Sequence, residues 1–229
     1  MKTSFVRFST LLAALFFLAY AVPLPASEPS SDHHASHHTS DSALKELKDG
    51  NQRFVDNRPL YPNQDKTLRD RLSDSGQTPM AAILSCSDSR VPTELVFDLG
   101  FGDLFMIRVA GNVPGEDEMG SIEYAVDHLN VPLVVVMGHT KCGAVTAAVQ
   151  EADEPGALGQ LLARLKPAAQ SVADVPADQK VPTAVKNNVD LGAQLLITQS
   201  PALARAVQEG RTKVIGAVYQ LEDGRVIFD

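Results

Sequence analysis

The chain has 229 residues, 44% of them hydrophobic and 21% charged, which suits one globular domain with a sizeable core. Its formal net charge is −8. With no basic patch to offset it, this charge sets aside nucleic acid and anionic membrane as partners. Trp is absent, and Gly and Pro number 15 and 14, so neither a fibrous nor a disordered class is indicated.

Residues 1–21 read as a secretory signal. Lys2 and Arg7 give a basic start, and Leu11 to Val22 is an apolar stretch too short for a comfortable membrane span. Ala19-Tyr20-Ala21 offers an A-x-A cleavage site, with Leu24-Pro25-Ala26 as a second choice. The expectation is an exported, periplasmic protein with no membrane association after cleavage; an uncleaved anchor is the alternative. Residues 22–41 form a linker rich in Ser, Pro and Asp. It carries His33, His34, His37 and His38, four of the six histidines. It reads as a disordered arm able to collect Zn²⁺ loosely, or simply as a polar tail.

From Ser42 the pattern turns helical, with Leu44, Leu47, Phe54 and Val55 near one face. Residues 66–74 give a second short helix. Apolar runs at 80–84, 103–109, 133–137 and 214–219 predict four strands. Helical patterns fill 93–98, 118–130, 143–151, 157–171 and 183–209, the last with a break near Pro201. Strands separated by helices predict an α/β fold with a largely parallel sheet, its strands buried on both faces. A turn at Asp223-Gly224 then leads into an edge strand. No internal repeat is visible.

Two short runs carry chemistry. One is Cys86-Ser87-Asp88-Ser89-Arg90 and the other is His139-Thr140-Lys141-Cys142-Gly143. Two thiolates and an imidazole suit Zn²⁺, and three ligands with an open fourth position describe a catalytic site. Cys86 and Cys142 are the only cysteines, so one metal accounts for both. In an oxidising compartment the same pair could instead form a disulfide. A bare disulfide would need neither His139 nor Asp88 nor Arg90. Cys86 falls just past the first strand and His139 just past the third, so both point to the crevice at the carboxyl ends of the sheet. Cys142 is placed to open the next helix, where the dipole favours a thiolate.

At these residues the chain resembles the β-class carbonic anhydrases, from about Ser42 to the C-terminus. Cys86–Arg90, Gly102–Asn112, Ser121–Ala125 and Gly138–Gly143 stand in the family's order. The resemblance implies a mostly parallel four-stranded sheet plus an edge strand, flanked by helices. It also implies an N-terminal helical arm, about residues 42–75, that wraps a second subunit in a homodimer or larger homo-oligomer. Residues 42–229 would form one catalytic domain whose site lies at the dimer interface.

The resemblance also implies roles. Cys86, His139 and Cys142 would hold one Zn²⁺ per chain, and hydroxide on that zinc would attack CO₂ to give bicarbonate. Arg90 would hold Asp88 off the metal so that its carboxylate orients the hydroxide; in some members the aspartate is instead a fourth metal ligand. Gln77 would donate to a substrate oxygen, although it also fits a solvated turn. Ile83 stands where the regulated branch carries tryptophan, which implies a constitutively open site. Phe105 and Tyr124 would line the CO₂ pocket, or serve as core aromatics; Ala110, where plant members often carry valine, would leave that pocket roomier. A backbone N–H near Gly143 would help bind bicarbonate. His128, the one histidine outside the tail and the metal set, suits a proton shuttle or a plain surface position. The alternatives to CO₂ hydration are a related CS₂ or COS hydrolase and a non-catalytic zinc-binding protein.

Overall fold

The computed structural model describes residues 38–229. The expected signal and nearly all of the His-rich arm lie outside the described residues. Five strands form one sheet in the order β2-β1-β3-β4-β5: β1 (Ala81–Ser85), β2 (Leu104–Arg108), β3 (Leu133–His139), β4 (Lys213–Tyr219) and β5 (Val226–Phe228). The first four are mutually parallel and β5 runs antiparallel to β4. The sheet and its edge strand are those expected from the sequence.

The strands are continuous apolar runs because both faces are covered. Successive side chains alternate between two cores. Ile83, Leu133, Val135 and Met137 face Leu47 and Phe97, whereas Leu84, Val134 and Val136 face Ile122, Val126, Val189 and Leu203. The first face is covered by α1 (Ser40–Val55) and α3 (Thr93–Val96), the second by α4 (Glu116–His128), α7 (Ala177–Gln199) and α8 (Pro201–Gln208). Near the carboxyl end of the sheet, α5 (Gly143–Val149) and α6 (Gly156–Gln170) build a third cluster around Val145, Leu162 and Leu165.

Helix limits differ from the sequence expectation where capping decides them. The first helix starts at Ser40 because Thr39 accepts the Ser42 N–H and the Ser42 hydroxyl reciprocates toward the Thr39 N–H. Helix α4 starts at Glu116, with the Glu118 carboxylate accepting the Gly115 N–H at 2.9 Å. The long C-terminal helix begins at Ala177 and runs through Pro182. It stops at Ser200, whose hydroxyl accepts the Leu203 N–H, and Pro201 opens α8.

Half of the expected wrapping arm is committed to its own chain. Ala43, Leu47 and Gly50 of α1 are buried, and the Asn51 amide donates to the carbonyls of Val96 and Gly224 and accepts the Val226 N–H. The segment after α1 is fastened by Asp98, which accepts the N–H groups of Leu60 and Tyr61 and pairs with Arg53 at 2.6 Å. Helix α2 (Lys66–Ser75) has no buried residue, so it keeps a free face. No described helix is long and apolar enough to cross a membrane.

Gly50 marks the closest approach of α1 to the body. A Cβ there would lie 1.8 Å from the Phe97 carbonyl oxygen, and backbone would have to move. Gly50→Ala is expected to destabilise by roughly 2–3 kcal/mol, read as a fall in Tm of roughly 5–10 °C. An unchanged Tm would mean that α1 docks differently.

Candidate metal centre

The strand order reverses between β1 and β3, so their carboxyl ends open a crevice between diverging loops. Cys86 follows β1, His139 ends β3, and Cys142 is the N-cap residue of α5. All three are buried, and one sulfur or nitrogen atom from each lies within 4.8 Å of the other two. Ligands of a tetrahedral zinc at 2.0–2.3 Å sit about 3.5–3.8 Å apart, inside the span of this set. Both cysteines are free thiols, not a disulfide.

His139 gives the sharpest test of fit. Its Nδ1 lies 2.9 Å from the Thr140 carbonyl oxygen, which assigns the proton to Nδ1 and leaves a lone pair on Nε2. Nε2 is buried and has no hydrogen-bond partner. A buried acceptor in that state costs about 1–3 kcal/mol, and a cation shared with two sulfurs would satisfy it. The second-atom hydrogen bond is the usual orienting contact of a metal-bound imidazole. The residues therefore fit Zn²⁺.

The sulfurs titrate as a pair. Cys86 is drawn well down, first by the hydrogen bond from Cys142, against burial, with the Gly111 N–H adding to it. Cys142 is pushed up, first by Cys86 and then by burial, which outweigh the Val145 and Ala144 amides at the start of α5. The two thiols are close enough to share a proton, and that proton is the one a cation would displace.

Asp88 is gripped by Arg90: Nε donates to Oδ1 at 3.0 Å, Nη2 to Oδ2 at 2.7 Å, and the Arg90 N–H to Oδ1 at 2.9 Å. This bidentate hold keeps the carboxyl far below the usual carboxylate range, with Arg90 the largest cause and burial opposing it. Asp88 Oδ2 stands 3.8 Å from His139 Nε2, beside the ligand set but outside the three-atom cluster. The guanidinium also reaches the Lys141 carbonyl at 3.3 Å.

Other expected site residues fall into a second group. Phe105 on β2, Tyr124 and His128 on α4 form a row, with ring centroids 6.1 Å and 5.1 Å apart. Tyr124 is 48% exposed and His128 is exposed, as is Gln77 between α2 and β1. Among the described residues no hydrogen bond or ion pair joins Gln77 or this row to the cysteine–histidine set. Gly143 begins α5 and is exposed, with open space where a Cβ would point. Ile83 is fully buried in the core, and Ala110 is half-buried at the start of the 3-10 turn Ala110–Asn112.

Four contributors had no role in the sequence reading. Arg108 donates to the carbonyls of Cys86 and Asp88 at 3.0 and 2.8 Å, fixing the loop after β1. Gly111 donates its N–H to Cys86 Sγ at 3.3 Å. Its φ of +72° lies in the left-handed region that favours glycine, and a Cβ would press on the Leu165 side chain at 2.9 Å. Both lie in the Gly102–Asn112 block, where the sequence pattern could have flagged them. Thr140 and Glu222 meet across 82 positions, for which no local signal exists.

The family model for carbonic anhydrase matches residues 81–226. The chain is 41% identical over 192 residues to carbonic anhydrase 2 of Mycobacterium tuberculosis, covering 82% of this chain and 91% of that protein. It is 36% identical over 196 residues to the carbonic anhydrase of Pseudomonas aeruginosa, covering 80% and 86%. Among solved structures it is similar to the β-carbonic anhydrase CcaA, with TM-score 0.67 and 28% identity over 82% of this chain and 95% of that one. One of two tetrameric β-carbonic anhydrases from Sordaria macrospora gives TM-score 0.65 and 28% identity, covering 70% and 84%.

Removing the guanidinium tests the Asp88 clamp. In metal-free Arg90→Met the Asp88 carboxyl pKa, followed by carbon NMR, is expected to rise to about 4 or above. A pKa that stays as low as in the parent would assign the depression to another group.

Proposed function

Since the chain belongs to the β-class carbonic anhydrases, we propose that it hydrates CO₂ reversibly to bicarbonate and a proton using one Zn²⁺ held by Cys86, His139 and Cys142. The single observation that carries the metal assignment is the buried, unpartnered Nε2 of His139 facing two free thiols. A three-ligand zinc supplies Lewis acidity, lowering the pKa of water to about 7.

The chain's own residues provide the rest. The ionised Asp88 carboxylate accepts a hydrogen bond on the oxygen nearest His139, and Arg90 keeps it from turning toward the metal position. Gln77 donates its amide N–H to a substrate oxygen. Phe105 and Tyr124 offer CO₂ an apolar wall, and the backbone at Gly143 binds the anionic product. His128, stacked beside Tyr124, passes the proton to buffer. Gln77, Tyr124 and His128 are exposed in the single chain, in keeping with a site completed in a homo-oligomer. The site is read as constitutively open, since Arg90 occupies both Asp88 oxygens. Export rests on Lys2, Arg7, the apolar stretch to Val22 and the Ala19-Tyr20-Ala21 site.

Stopped-flow CO₂ hydration with zinc assayed on the same sample tests the proposal. About one zinc per chain and hydration at neutral pH are expected, with Cys86→Ser losing both. Zinc-loaded protein inactive on CO₂ but active on carbonyl sulfide would move the chemistry to the related hydrolases. Activity without zinc would overturn the ligand assignment.

For His128, the alanine variant is expected to lose about tenfold or more in kcat in weak buffer, with recovery in concentrated imidazole. Full activity in weak buffer would remove the shuttle.

A further inference from the structure

The loop that carries two of the three candidate ligands is buried at His139 and Cys142 and reaches the surface between them. Thr140 and Lys141 lie between His139 and Cys142, and Lys141 has the left-handed φ of +55°, which a side chain adopts only when its surroundings enforce it. One side of the loop borders an open groove of about 550 Å³, lined in part by Thr140, Lys141, Val185, Val218, Glu222 and Ile227. Hydrogen bonds from the end of β4 and from the β4–β5 turn hold the loop on that side. The Thr140 hydroxyl donates to Glu222 Oε2 at 2.8 Å and accepts the Leu221 N–H at 2.9 Å. The Thr140 N–H donates to the Tyr219 carbonyl at 2.9 Å. Glu222 Oε1 pairs with Lys141 at 3.0 Å. The Thr140 carbonyl, so placed, is the acceptor that orients His139.

Resting on the zinc reading above, we propose that Glu222 and Thr140 are positioning residues. The β4–β5 turn braces the His139–Cys142 loop through the Thr140 hydroxyl and so sets the geometry and lifetime of the bound metal. The turn is a firm anchor. Its backbone is closed by Gln220 N–H to Arg225 O and Gly224 N–H to Gln220 O, and Asn51 of α1 grips Gly224 and Val226. The hydroxyl bond matters more than the ion pair. Lys141 and Glu222 side chains are 69% and 47% exposed, and such pairs contribute little. Lys141 and then Thr140 hold the Glu222 carboxyl down to about 2, so the brace stays ionised at working pH.

The test is zinc release from the loaded full chain into excess chelator. Partners that hydrogen-bond a metal-bound imidazole are worth about 10–100-fold in metal affinity, and the Thr140 hydroxyl and Glu222 act through such a partner, the Thr140 carbonyl. Thr140→Val and Glu222→Ala are expected to release zinc at least about tenfold faster than the parent. Thr140→Ser, which restores the hydroxyl, and Lys141→Met should stay within about threefold. Parent-like release in both Thr140→Val and Glu222→Ala would overturn the proposal, as would Thr140→Ser releasing as fast as Thr140→Val. Glu222 is a partly exposed turn residue, so Glu222→Ala decides the matter if Thr140→Val does not fold. A parent protein that holds no zinc would refute the metal reading alone. The brace is then read by amide exchange in the metal-free chain. Faster exchange at Thr140 and Thr146 in Glu222→Ala, with Val135 unchanged, supports it, and unchanged exchange at all three refutes it.

Discussion

His139 ends a fully buried strand with one ring nitrogen satisfied and the other bare. An unmet acceptor in a dry interior is costly, and two thiols nearby cannot both ionise at little cost without a cation between them. A single divalent cation relieves both problems at once. The neighbouring interactions have one effect in common: they fix the atoms around that point so that the relief is available in one geometry only.

That fixing is shared among distant parts of the chain. Arg108 at the end of β2 holds the backbone after β1, and the Gly111 N–H steadies the Cys86 sulfur. Asn188 of α7 in turn holds the Gly111 carbonyl at 2.8 Å. Arg90 joins the two loops that carry the cysteine–histidine set, since it binds Asp88 from one and the Lys141 carbonyl of the other. A carboxylate so held cannot easily leave its guanidinium. The parallel sheet makes such convergence possible because β1 and β3 are neighbours whose chains leave in opposite directions.

The helical arm divides between two tasks. Helix α1 is part of the core, with Leu47 fully buried and Gly50 against the Phe97 carbonyl, while α2 keeps all its residues out of the core. The exposed row of Tyr124 and His128 and the exposed Gln77 are surfaces of the kind a second copy of the chain would cover.

Much was legible in the sequence because the signals are local. Buried parallel strands are short apolar runs bounded by turns, and Cys86, Asp88, Arg90, His139 and Cys142 sit in two tight clusters whose chemistry names a metal. Helix ends were less legible, since Thr39, Gly115 and Ser200 decide them through single side-chain or amide bonds rather than through periodicity. Tertiary structure alone decided that the two thiols meet, which nitrogen of His139 is free, and that Arg108 and Gly111 hold the loop and sulfur of Cys86. Those outcomes depend on distances between residues far apart in the chain, and hydrogen bonding and desolvation act over a few ångströms of space, whatever the separation in sequence.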